Sequence, residues 1–160
     1  MSPLIPTDPD KLQIEFETIP EDTIVHAIIS DFKIADKTDK NDKHYGVLTW
    51  EVVTPLEWEG RQLTDNYVGF QGLEDPTMSD GQRRRALEAG IRFNMICACI
   101  KLKPSSVPSN PIADDDVEEI NQYLQDEFVG QEGDFSVSVD TYKGRKNNKI
   151  KMYLLPHERS

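Results

Sequence analysis

A five-stranded antiparallel β-barrel, with a long and a short helix inserted between strands three and four, is the fold this sequence predicts. Three observations predict it. Apolar residues recur with a period of two over the early segments, the period lengthens to that of a helix over residues 82–102, and a period of two returns towards the C-terminus. At 160 residues the chain suits one domain, because a chain of this size buries a sufficient core alone. The expected organisation is an extended arm over residues 1–10 and a single domain over residues 11–160.

Pro3, Pro6 and Pro9 restrict the arm and remove amide donors. Leu12, Ile14 and Phe16 alternate with polar residues, as in a short lead-in strand. The first firm strand runs from Thr23 to Ile34. It sets Ile24, His26, Ile28, Ser30, Phe32 and Ile34 on one face, with Val25, Ala27 and Ile29 interleaved. Asp36 to His44 mixes Asp and Lys with no apolar residue, the composition of a solvated turn. Gly46 to Thr54 restores strand character until Pro55, with Trp50 sharing the parity of Leu48 and Val52 and so read as core. Trp58 falls in an acidic turn and reads as exposed, and Arg61 to Phe70 forms the third strand through Leu63, Tyr67, Val68 and Phe70.

Ser79 or Asp80 can cap a helix running from about Gln82 to Leu102, nearly all apolar in its second half and ended by Pro104, Pro108 and Pro111. A shorter helix starts near Asp114. Its first turns hold Asp114, Asp115, Asp116, Glu118 and Glu119, which oppose the positive end of the helix dipole; this run lacks the spaced ligands and glycine of a calcium loop. A hairpin follows, with Phe135, Val137 and Val139 inward, Gly144 and Asn147-Asn148 in the turn, then Ile150, Met152 and Leu154 inward. Three strands, a helical insertion and two strands is the element order of an OB-fold.

The net charge of -11 weighs against nucleic acid, whose affinity comes mainly from Lys and Arg neutralising phosphates. Distribution matters more than the sum: Lys143, Arg145, Lys146, Lys149 and Lys151 form a basic stretch with no acid inside it. Cys97 and Cys99 point in different directions on a helix, which makes neither a disulfide nor a redox pair and suits a reducing compartment. No segment reads as a signal peptide or a membrane span, so the expected location is the cytoplasm. Enzyme chemistry has no support: there is no phosphate-cradling glycine loop, no paired His at helical spacing and no Gly-x-Ser-x-Gly elbow. Cys97, between Ile96 and Ala98, reads as an inert buried thiol. No catalytic residue, metal or cofactor is expected.

Val47-Leu-Thr-Trp-Glu-Val-Val53, Glu59-Gly-Arg61 before Asp65-Asn66, the long helix, Val129-Gly130 and the stretch from Lys143 to Lys151 together resemble small phage-encoded OB-fold proteins related to single-stranded-DNA-binding proteins. The resemblance spans most of residues 23 to 155. It implies a barrel working beside phage DNA replication or recombination, in the cytoplasm of a bacterial host. The chain departs from the pattern in lacking an acidic C-terminal tail, ending instead Leu154-Leu-Pro-His-Glu-Arg-Ser160.

OB-folds grip oligomers with strands two and three and with the loops joining strands one to two and four to five. The first loop here offers Lys37, Lys40 and Lys43 with His44 and Tyr45; the second offers Lys143, Arg145, Lys146 and Lys149, with Tyr142 and Tyr153 near its base and Lys151 beyond it. Tyr67 lies on strand three. Cations track phosphates while aromatic faces stack on bases, so Lys40, Lys43, Tyr45, Tyr67, Tyr142, Lys143, Arg145, Lys146, Lys149 and Lys151 are the expected contacts for single-stranded DNA bound without regard to sequence. Arg83-Arg84-Arg85 fan around a helix and read as a solvated face. Phage replication or recombination proteins are further expected partners, and the apolar half of the long helix can pack across a homodimer as readily as in a core. The alternative is an acidic protein-interaction module that binds a replication enzyme or a host defence factor.

Overall fold

The computed structural model of the chain describes residues 18–35, 44–70, 79–105 and 112–156. The extended arm expected over residues 1–10, the lead-in strand expected at Lys11 to Phe16 and the loop residues Lys40 and Lys43 lie outside these. Five strands, β1 (Ile24–Ile34), β2 (Gly46–Thr54), β3 (Gln62–Val68), β4 (Glu132–Tyr142) and β5 (Arg145–Tyr153), form one antiparallel sheet in the order β3-β2-β1-β4-β5. In chain order α1 (Asp80–Cys99) and α2 (Val117–Phe128) stand between β3 and β4, and a 3-10 turn at Asp114–Asp116 leads into α2. The acidic run is thus a helix start.

The sheet is open, which corrects the expectation of a closed barrel. Among the described residues β3 and β5 share no backbone ladder, and side chains span the seam instead. Asp65, at the centre of β3, is buried, and a buried carboxylate needs strong donors. It draws them from across the gap. The Tyr153 hydroxyl on β5 donates to its Oδ2 at 2.9 Å, and Arg92 of α1 pairs with the same oxygen. Arg92 Nη2 also reaches the Ile150 carbonyl on β5 at 3.4 Å. One guanidinium therefore ties α1 to both edges.

Bulges in β1 and β5 change which residues face inward. Ile29 lies opposite Trp50 but Asp31 opposite Thr49, so Ser30 is an extra residue that reverses the alternation of β1. Val25, Ala27 and Ile29 are buried before it, and Phe32 and Ile34 after it, while Ile24 is 58% exposed. The single-face reading of Ile24 to Ile34 is corrected accordingly. On β5, Ser136 faces Met152 and Val137 faces Ile150, which leaves Lys151 as the extra residue. Ile150 and Tyr153 are buried, whereas Met152, expected inward, is 53% exposed.

The helices cover the other side of the buried face. Gly69 and Gly133 allow α1 to approach closely: a Cβ at Gly69 would lie 2.6 Å from Ala89 Cβ, and one at Gly133 would lie 2.6 Å from Cys99 Sγ. A Schellman motif ends α1. Leu102 N–H bonds the Cys97 carbonyl and Lys101 N–H the Ala98 carbonyl, with Lys101 at φ +58° where glycine is usual. α2 sits on β1, where Asn121 Oδ1 accepts the Ile34 amide at 2.6 Å and Gln125 Nε2 donates to the Phe32 carbonyl at 2.9 Å. Edge-to-face rings join the layers: Phe93 of α1 meets Phe70, and Phe128 of α2 meets Phe32, each at 5.1 Å.

Candidate nucleic-acid interface

The β4–β5 hairpin carries all five cations expected at and beyond the second loop. Tyr142 pairs with Arg145, so the turn is the two residues Lys143 and Gly144, at φ +51° and +77°. Two positive φ values mark the type I′ turn, whose twist matches that of the strands it joins. The turn is complete without the asparagines. Asn147 and Asn148, expected in it, instead pair with Asp140 and Val139 within β5. Asn148 works at both ends of its amide: its Oδ1 accepts the Ile19 N–H at 2.7 Å and its Nδ2 donates to the Ile19 carbonyl at 2.8 Å. This fastens the segment before β1 along the hairpin, where Glu21 Oε1 also accepts the Val139 amide at 2.9 Å.

That segment brings acids to the base of the hairpin. Lys151 Nζ lies 2.5 Å from Asp22 Oδ1 and 3.8 Å from Glu21 Oε2, and the hydrogen bond to Asp22 raises its pKa above the ordinary value. Higher up, Lys149 Nζ lies 2.8 Å from Asp140 Oδ2, and that bond lowers the Asp140 pKa. The remaining cations of the hairpin stand at its tip. Lys143, Arg145 and Lys146 are exposed there. Strand alternation sets Arg145 and Lys149 on the face opposite Ile150, and Lys146 on the face shared with Asn148 and Ile150.

The aromatic platform expected beside these cations is not assembled from the described side chains. Tyr45 and Phe70 are buried, and Trp50 packs inward as its parity predicts, 5.3 Å from the Phe135 ring. Trp58, expected exposed, is half-buried against the core with Arg61 5.3 Å over its ring. Tyr67 lies on β3 and Tyr142 on β4, but their side chains lie outside the described residues, as do Lys40 and Lys43.

Two clusters escaped the sequence reading. In the first, Asp65 shares the inward parity of Leu63, and a charged residue at an inward position is a signal that a buried partner exists; Arg92 and Tyr153 are that partner. Burial pushes the Tyr153 pKa well up, so it stays a hydroxyl that donates. In the second, His26 Nδ1 lies 2.6 Å from Asp134 Oδ1 and Nε2 3.2 Å from Glu132 Oε1. Burial alone lowers the His26 pKa, but the bonds to Asp134 and Glu132 outweigh it and hold it above the ordinary 6.5. Nothing in the local sequence pairs residues this far apart. Both cysteines are buried thiols, and burial pushes the Cys97 thiol up to about 12, where it is a poor nucleophile.

Among the described residues no group of three or more His, Cys, Asp or Glu side chains is arranged to hold a metal, and no helix is long and apolar enough to cross a membrane. In comparisons with protein families and with curated proteins, nothing matches the chain.

Proposed function

We propose that the chain binds single-stranded DNA without regard to sequence through the tip of the β4–β5 hairpin, in phage DNA replication or recombination within a bacterial cell. The observation that carries this reading is Lys143. A lysine at the first position of a type I′ turn holds a left-handed backbone that Asn or Gly adopts more cheaply, and strain retained at an exposed tip goes with function. Arg145 and Lys146 follow across Gly144, so three cations stand at one turn. The strand order, with β1 between β2 and β4 and a seam between β3 and β5, is compatible with a partly open OB-type barrel, whose loop between strands four and five grips oligomers.

The test is fluorescence anisotropy of a labelled strand of about 30 nucleotides at low and moderate salt, beside a duplex of equal length. The strand should bind in preference to the duplex and weaken as salt rises. Arg145→Glu with Lys146→Glu should remove most of the binding. Lys143→Asn should keep or raise stability while weakening DNA binding, a combination that a purely structural turn would not produce. Undiminished binding in both variants would remove the hairpin from the interface.

A second reading, an acidic module for a basic protein partner, is favoured by the exposed Asp114, Asp115, Asp116, Glu118 and Glu119. It predicts a stable complex with that partner and no retention of the strand at low salt.

A further inference from the structure

We propose that the outer face of α1 is a docking site for an acidic, amphipathic peptide segment of a partner protein. Leu87, Ile91 and Met95 succeed one another at intervals of four and are 65%, 49% and 36% exposed. They form one stripe along the helix. The opposite side is the one the fold uses, with Ala89, Phe93, Ile96 and Cys97 buried, so the sheet does not account for the stripe. A run of three large apolar side chains on the solvent face of one helix marks a contact surface.

The charge around the stripe names the occupant. At 100° per residue Arg84 falls in line with the stripe at its N-terminal end, and Arg83 on its flank. Both are exposed, and the turn that ends the helix adds exposed Lys101 and Lys103. The acids of this segment are Asp80 and Glu88. Arg92 is held by Asp65, so its charge is already paired within the fold. In a chain of net charge -11, this is a local reversal of sign joined to apolar anchors. A partner that matches it offers carboxylates at the ends and apolar side chains between them.

The scale of the field favours a short segment over an extended polyanion. At physiological ionic strength the Debye length is about 8 Å, so a peptide lying on α1 meets the nearby arginines and lysines and little of the remaining negative charge. An anionic bilayer or a long nucleic acid meets the whole molecule and is repelled by its net charge of -11. A second copy of the chain would bring cations against cations along this helix.

The probe is a fluorescein-labelled peptide of about 15 residues with Leu at helical spacing and Asp and Glu elsewhere, compared with a scrambled peptide of equal composition. The patterned peptide should bind and weaken with salt, and the scrambled one should bind about tenfold more weakly or worse. Ile91→Asp and, separately, Leu87→Asp should each weaken binding about tenfold or more. Arg83→Glu with Arg84→Glu should also flatten the salt dependence, whereas Leu56→Asp, at an exposed apolar position off the helix, should change nothing. No binding of the patterned peptide at low salt, or binding indifferent to all the α1 variants, overturns the proposal. So does an α1 variant that instead abolishes self-association, vesicle binding or strand binding. The hairpin variants Arg145→Glu and Lys146→Glu should leave peptide binding intact, so this site and the DNA site fail independently.

Discussion

His26 couples the two central strands of the sheet to pH. It reaches from β1 to Asp134 and Glu132 on β4, and those acids hold its folded pKa above 6.5. The folded chain therefore binds this proton more tightly than the unfolded chain. The stabilisation is present in full below the ordinary pKa and is lost as pH rises through the raised folded value. Thermal unfolding of the protein and of His26→Gln, followed from about pH 5 to pH 9 across the ordinary His pKa, should show a difference that is greatest at the acid end and shrinks upward; a constant difference would mean that the ring acts by packing alone. The Asp65–Arg92 pair behaves differently, because one partner is deeply buried. Arg92→Met leaves that carboxylate with only the Tyr153 hydroxyl and should cost about 3 kcal/mol in urea unfolding. Replacing Asp65 with Leu in the same chain should recover part of the loss, since an uncompensated buried charge costs more than an apolar pair.

The elements are positioned by close backbone approach and by displaced register. α1 rests on the sheet at Gly69 and Gly133, and the space at Gly133 is bounded by Cys99 Sγ, Ile100 Cγ2 and Trp50 Cη2, the nearest at 2.6 Å. Gly133→Ala must push Cys99 and the end of α1 away from β4, and should destabilise by about 1–3 kcal/mol. Gly81→Ala, with open space around its Cβ, should be neutral or stabilising in the same denaturation assay, which separates the steric effect from the loss of a glycine. The bulges at Ser30 and Lys151 have the corresponding effect on the strands. Each turns one stretch of side chains over, and the bulge in β5 sends Lys151 to Asp22 while returning Tyr153 to the seam.

At the scale of the whole molecule, an excess of negative charge coexists with two positive regions, the hairpin tip and the α1 face. Self-repulsion of a net charge of -11 opposes compaction, and salt screens it. Raising salt to about 0.5 M, where the Debye length falls towards 4 Å, should therefore raise the melting temperature while weakening the DNA binding proposed for the hairpin. The two measurements move in opposite directions. A melting temperature that falls with salt would mean that surface ion pairs such as Lys149–Asp140 and Lys151–Asp22 outweigh the repulsion.

The sequence by itself determined the five β segments and two helices, because apolar periodicity, β-branched density, prolines and the acidic helix start are local properties. It placed β2 at Gly46–Thr54 and Trp50 in the core, and it located the cationic hairpin by composition. Tertiary structure alone decided the rest. Whether Ile24 or Val25 faces inward depends on a bulge at Ser30, and bulges depend on how the partner strand pairs. Whether the sheet closes depends on what stands at the seam, where Asp65, Arg92 and Tyr153 meet from three separate elements. Which lysines project a field depends on Glu21, Asp22 and Asp140, brought beside them by pairing between residues far apart in the chain. These are questions of register and long-range contact, and a one-residue slip that leaves local composition unchanged turns every side chain of a strand to the other face.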